Sequence, residues 1–290
     1  ISALSASPET LTLRSEGLAA ALPVVPAKAG PLRRNPSPSY KIFVAMIRFP
    51  FRHRLITLLR DLNVRGIRGF AHRLPKWMIP SPKGALILET LHGFPMRIDP
   101  VKDQGVERSM YYTGTYERGT MYLLTSVLHA GDTFVDVGAN IGLMTVHAAR
   151  LVGLTGQVYA FEPNPETHQL LKQNVELNAL KNVTCFSLAV GAEPSIGVLY
   201  DRWESSRGSA SMISDGDNKQ GSKVQITTLD TVLRDVRYVK LMKLDIEGFE
   251  LEALKGAHHV LKRADPPMLI IECSTDVHAD HPAMLYNMLL

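Results

Sequence analysis

The chain has 290 residues, 45% of them hydrophobic and 21% charged, with a formal net charge of +4. This is the composition of a folded globular protein, and the lack of any apolar run of about eighteen residues excludes a transmembrane helix. Its two cysteines, Cys185 and Cys273, lie in apolar strand-like runs; that excludes a disulfide scaffold and makes the reducing cytoplasm the expected location.

Charge is unevenly placed. Residues 1–100 hold 15 Lys/Arg against 5 Asp/Glu, whereas residues 101–290 hold 17 against 23. The basic excess therefore belongs to an arm or accessory region, and the acidic excess to the half that carries the chemistry. The chain opens on Ile1 without the basic start of a secretory signal, so a fragment is expected.

In chain order, residues 1–40 are rich in Pro, Ala and Ser and are expected to be disordered. Residues 41–83 form a basic accessory region. Leu55, Leu58, Leu59 and Leu62 make a helical stripe there, and Pro50 splits the segment. Its main expectation is one or two helices packed on the catalytic domain; a patch that touches an anionic membrane, through 41–77, or a charged acceptor is the second. From residue 84 a single domain is expected to run to 290. It begins with a β-hairpin, residues 85–91 and 94–98, followed by a helical lid reaching to about 130 that includes Tyr111, Tyr112, Tyr116 and Glu117. The tyrosines either touch a ligand or pack.

Beyond the lid, strands alternate with helices. The pattern predicts strands 133–137, 157–161, 183–190, 224–227, 239–244 and 268–273, with helices 141–151, 165–178, 229–236 and 250–261 among them. Residues 205–211 and 216–221 read as hairpin and loop. This alternation predicts an α/β fold: a Rossmann-like, doubly wound, mostly parallel sheet in three α/β/α layers. Asn182-Val183-Thr184 matches a glycosylation sequon but enters a strand expected to be buried, so it is read as chance.

The chemistry starts at Phe134-Val135-Asp136-Val137-Gly138-Ala139-Asn140-Ile141-Gly142. Gly138 and Gly142 permit a sharp turn and close ligand approach, and Asn140 tolerates unusual backbone angles. Glu162 ends the next strand, where its carboxylate can accept hydrogen bonds from both hydroxyls of a ribose. The Gly-x-x-x-Gly spacing does not match the Gly-x-Gly-x-x-Gly of pyrophosphate cofactors, which argues against an NAD-dependent oxidoreductase. Asp136 would repel a pyrophosphate yet suit a ligand bearing ammonium and sulfonium groups, which points to S-adenosyl-L-methionine.

Acids recur at further strand ends: Asp245 and Glu247, and Glu272. Methyl transfer to a hydroxyl needs a base, and Asp245 or Glu247 can supply one; either can instead bind the cofactor ammonium, pair with Lys243 or cap the helix after Gly248. Glu272 is expected to line the substrate site or to be structural. The ten histidines show no zinc-type spacing, so no metal site is expected.

At these residues the chain resembles the FkbM-type family of class I S-adenosylmethionine-dependent methyltransferases. The resemblance rests on Ile98-Asp99-Pro100, the pieces 114–117, 132–142 and 161–165, Thr228-Leu229-Asp230, residues 243–250 and Leu254-Lys255-Gly256-Ala257. It implies O-methylation of a hydroxyl on a glycan or secondary metabolite. It also implies that Asp136, Gly138, Asn140, Gly142 and Glu117 surround the cofactor, that Glu162 holds its ribose, and that Asp245 and Glu247 face the acceptor. A complete sheet of this class has seven strands, and the residues after Glu272 leave room for a helix only, so the last two strands are expected to be missing. The remaining alternatives are a nucleoside-binding module without catalysis and a methyltransferase of another acceptor such as nucleic acid; the acidic character of the catalytic half argues against nucleic acid.

Overall fold

The computed structural model describes residues 46–61, 78–201, 210–212 and 221–272. All of them fall in one compact unit, Phe43–Leu290. The expectations for the first 40 residues, for Leu62, and for strands after Glu272 lie outside the described residues.

The strands in chain order are β1 (Met46–Ile47), β2 (Leu86–Glu89), β3 (Pro95–Ile98), β4 (Thr133–Val137), β5 (Gln157–Phe161), β6 (Val183–Phe186), β7 (Ala189–Val190), β8 (Ser195–Asp201), β9 (Ala210–Ser211), β10 (Gly221–Thr227), β11 (Leu241–Leu244) and β12 (Met268–Ile271). The central sheet runs in the order β12-β11-β4-β5-β6, and every neighbouring pair is parallel. The order reverses at β4, whose neighbours are β5 and β11. A crevice therefore opens beyond the C-terminal ends of β4 and β11.

Period-2 alternation divides this sheet's side chains between two cores. Phe134, Val158, Ala160 and Leu241 join one hydrophobic cluster with Val146, Ala149 and Leu171 from helices Leu143–Val152 and Pro165–Leu177. Val135, Val137, Phe161, Met242 and Leu244 join the other with Leu229, Ala253, Leu254 and Val260. These are the two helical layers of a three-layer α/β/α protein, as the alternation of elements predicts.

The hairpin β2–β3 is antiparallel, as expected, and β1 adds to it in parallel. Buried Asn174 fastens it to the core: its Oδ1 accepts from Arg97 N at 2.6 Å, and its Nδ2 donates to Arg97 O at 3.2 Å and to Ile141 O at 2.8 Å. One side chain thus ties the hairpin to the turn after β4. In the basic segment Pro50 opens helix Pro50–Asp61, and the residues before it pair with β2. On this helix His53 and Ile56 are fully buried, while Leu58 is exposed. His53 Nε2 lies 3.0 Å from Tyr111 O, and Arg52 donates to Met78 O at 2.8 Å.

Three further differences have physical causes. The strand expected over 183–190 is two strands: β6 pairs with β5, but β7 leaves the central sheet to pair with β10. Helix 250–261 breaks into Glu250–Lys255 and His258–Leu261, because Gly256 crosses the chain at Gly191; a Cβ on Gly256 would sit 2.1 Å from Gly191 O. Asp230 satisfies the second piece, its carboxylate accepting from His259 N and Val260 N, both at 2.9 Å. Finally, β8 was not expected from sequence. It is central to a second sheet of order β7-β10-β8-β9. As for the sequon, Asn182 is buried and donates to Ala149 O and Gly153 O, so its amide holds the turn after helix Leu143–Val152.

Candidate active site

The switch point of the sheet opens into a cleft of about 1070 Å³, counted to its open mouth. Gly138, Asn140, Glu162, Asp245, Glu247 and Glu117 all line it. Asp136 lies buried beneath and Gly142 opens the helix behind, so the eight residues singled out by sequence converge on one place.

The glycine turn depends on its residue types. Gly138 has φ +79°, and a Cβ there would meet the Asp245 carbonyl oxygen at 1.8 Å. Asn140 adopts φ +50° and its Oδ1 accepts from Ile141 N at 2.7 Å; Gly142 caps helix Leu143–Val152 at φ +91°. Glu162 braces the turn. Its two oxygens accept from Asn140 N and Asn164 N, each at 2.9 Å, leaving each oxygen with further acceptor capacity toward the cleft. Burial is the largest influence on this carboxyl and pushes it up to about 7, against the pull of the two backbone donors.

Asp136 is fully buried. Its Oδ2 accepts from Thr145 Oγ1 at 2.6 Å, while its Oδ1 has no hydrogen-bond partner. Burial raises its carboxyl above the usual range, opposed by Lys243, whose Nζ lies 3.9 Å from Oδ1. Lys243 is itself nearly inaccessible and pairs with Asp245 at 2.8 Å. Burial disfavours its charge, but Asp245 and Asp136 outweigh burial and hold the ammonium above its ordinary range. Of the roles open to Asp245 and Glu247 from sequence, Asp245 takes the Lys243 pairing. In the turn before the next helix, Glu250 Oε1 accepts from Ile246 N at 2.9 Å and Gly248 N at 3.2 Å. Glu247 sits at φ +55°, and its carbonyl accepts from Ser211 Oγ at 2.8 Å.

The lid divides its tyrosines between the two readings. Tyr111 is buried and donates to Pro80 O at 2.9 Å, a packing role, while Tyr116 lines the cleft. Burial, then the charges of Glu117, Asp245, Glu272 and Glu247, raise the Tyr116 phenol. Glu117 begins helix Arg118–Val127 at φ +42°. Although its side chain reaches solvent, partial desolvation and then the Asp245 charge push its carboxyl up.

Sequence reasoning missed the opposite wall. Ala189, Val190, Leu199, Ala210 and Met212 of the second sheet face the cleft, and the alternation in Ser195–Asp201 was the available signal. Glu272 lines the cleft at the end of β12.

A doubly wound sheet with a glycine turn at its switch point and an acid at the end of the neighbouring strand defines a Rossmann-like class. The methyltransferase FkbM domain matches residues 136–289, more than half of the chain, and the chain belongs to that family of methyltransferases. It is 30% identical over 162 residues to methyltransferase sdnD of Sordaria araneosa, covering 44% of this chain and 61% of that protein. It is 28% identical over 167 residues to the hexuronic acid methyltransferase AglP of Haloferax volcanii, covering 55% and 64%. Both matches stop short of two thirds of the relative's length. Among solved structures, the precorrin-6y C5,15-methyltransferase of Geobacter metallireducens GS-15 overlaps 58% of this chain and 70% of that one, at 14% identity and a TM-score of 0.36. Among the described residues no helix is long and apolar enough to cross a membrane.

Proposed function

We propose that the protein is an S-adenosylmethionine-dependent O-methyltransferase acting on a hydroxyl of a glycan or secondary metabolite. The observation that carries this is the buried carboxylate of Asp136, with one oxygen lacking a hydrogen bond, under a turn whose Gly138 and Asn140 leave a cradle free of bulky side chains. An anionic floor beneath such a cradle suits a cationic nucleoside and disfavours a pyrophosphate. Glu162 would hold the ribose, with Gly138, Asn140, Gly142 and Glu117 around the remainder of the donor.

When bound, S-adenosylmethionine supplies an electrophilic methyl group, whose bond to sulfur breaks with the electron pair left on sulfur as the acceptor oxygen bonds to carbon. The chain's part is to orient the acceptor and remove its proton. Asp245 and Glu247 face the cleft for this work, and the apolar wall of the second sheet offers a surface for the carbon framework of the acceptor. The AglP relative's name supports a sugar acceptor.

The test is calorimetric titration with S-adenosylmethionine and S-adenosylhomocysteine, followed by methyl transfer from labelled donor to a panel of sugars, uronic acids and hydroxylated aglycones. Methylated hydroxyl product is the expected outcome. Donor affinity without product on the whole panel favours a binding module, and lack of affinity for both nucleosides refutes the reading.

A further inference from the structure

A helix on the surface of a globular protein ordinarily turns an apolar stripe inward and polar groups outward. Helix Pro50–Asp61 does not. At about 100° per residue, its fully buried His53 and Ile56 face one way, and the opposite side falls on Phe51 and Leu58, two turns apart. Those two are 76% and 59% exposed. The inner side is seated: a Cβ on Gly114 would meet His53 Nδ1 at 2.7 Å, and Ile56 belongs to the larger hydrophobic cluster. The helix therefore cannot roll to hide its outer residues without unseating its inner ones. A lone exposed residue such as Ile196 on β8 is ordinary, whereas a phenylalanine and a leucine on one outward line of one helix form a patch.

The charges around this line indicate its partner. Arg54 is exposed and stands between Phe51 and Leu58 on the same side, three residues after one and four before the other. Arg52 is exposed as well; its guanidinium lies over the Phe49 ring at 5.6 Å and donates to the Met78 carbonyl, an acceptor that leaves its charge uncompensated. Residues 41–83 hold ten Lys/Arg against one acid, Asp61. Arginines interleaved with Phe and Leu match an anionic lipid surface, whose headgroups take the cations while its acyl boundary takes the apolar side chains. An RNA strand would use the arginines but gain little from Leu58, and a second copy of the chain would set the same arginines against each other. Twelve residues are too few to cross a bilayer, so the helix would lie along its surface.

We propose that helix Pro50–Asp61 is a membrane-docking element that lies on an anionic lipid surface, with Phe51 and Leu58 in the acyl boundary and Arg52 and Arg54 among the headgroups. Its inner side rests on Tyr111 and Gly114, which lead into Tyr116 and Glu117 at the cleft, so docking holds the start of the lid near that surface. Neither the donor nor the acceptor of the cleft enters into this contact, and it stands or falls without them.

Flotation of the full chain with lipid vesicles tests it. The wild type is expected to float with phosphatidylcholine vesicles that contain phosphatidylglycerol and to stay behind with phosphatidylcholine alone, and added salt is expected to weaken the binding. Phe51→Ser combined with Leu58→Ser should lower the vesicle partition coefficient at least about tenfold, and Arg54→Gln about fivefold. Ile196→Ser, at a residue 74% exposed on β8, is the control that should change nothing. Absence of flotation with the anionic vesicles, equal flotation with the neutral ones, or an undiminished coefficient in the double variant overturns the proposal. So does a wild-type dimer that the double variant converts to monomer. Should the double variant fail to fold, Phe51→Trp decides: the emission it adds is expected to shift to the blue with anionic vesicles and to be quenched by brominated phosphatidylglycerol, and added emission that does neither refutes docking.

Discussion

The two walls of the cleft are built by different means. On the side of the central sheet, backbone meets backbone: the Asp245 carbonyl lies where a Gly138 Cβ would be, and Glu162 is held by the amides of Asn140 and Asn164. On the side of the second sheet, side-chain tips meet: Gly197 makes room for the end of Met212, and Leu199, Ala210 and Met212 present apolar surface. Backbone crossings admit almost no substitution, whereas side-chain tips repack at small cost. On the proposed function, the contrast separates a wall fitted to the methyl donor from a wall that can change with the acceptor.

The sharpest way to break this comparison is Gly138→Ala. A Cβ at 1.8 Å from a backbone oxygen, at φ +79°, has no flexible neighbour to yield. We expect a loss of about 3 kcal/mol or more in chemical denaturation, with nucleoside binding abolished. A stable variant with normal affinity would show that the crossing is not rigid. Glu162→Ala follows. It removes the proposed acceptor for ribose hydroxyls and the brace of the turn, and is expected to weaken S-adenosylmethionine binding by about tenfold to a hundredfold, since a hydrogen bond to a charged group contributes about 1.5–3 kcal/mol. Unchanged affinity in calorimetry removes Glu162 from the site.

The same residue sets a pH dependence. Its folded carboxyl titrates at about 7, raised from an ordinary 4.5, so the folded state favours the protonated form. Its contribution to stability is complete below 4.5 and is lost as pH rises through about 7. The ligand-free wild type should therefore show a melting temperature that falls across that window more steeply than Glu162→Gln does; parallel curves would contradict the raised carboxyl. The smallest effect is expected on the opposite wall. Gly197→Ala would place a Cβ 2.2 Å from Met212 Cε, the free end of a flexible side chain, and 2.8 Å from Ile226 Cδ1. It should cost roughly 1 kcal/mol or less in thermal melts and leave nucleoside affinity unchanged. A loss as large as that of Gly138→Ala would erase the distinction between the walls.

This contrast also explains what could be read in advance. A turn that demands positive φ must use residues that tolerate it, so Gly138, Asn140 and Gly142 mark the donor side in the sequence itself, and the alternation of strands and helices carried the central sheet. The second sheet left a weaker trace. β8 carries Gly197 mid-strand and exposed Ile196, and its main partner β10 lies some twenty residues further on. The departure of β7 from β6, and the break at Gly256, follow from contacts between distant segments that no local pattern records. Glu250, the residue that accepts from Ile246 N and Gly248 N, stood three positions beyond the candidate Glu247. That Glu272 leaves its strand beside Asp245 required knowing that β12 lies beside β11.

Only a hydrogen atom's breadth separates the bend at Gly138 from the peptide of Asp245, so those two segments cannot slide past one another. A substitution at residues 246–248 that tilts this peptide would be felt at the turn proposed to cradle the donor, without touching that turn itself. Variants sought to redirect the protein toward new acceptors would therefore keep their grip on the methyl source best when confined to Leu199, Ala210 and Met212.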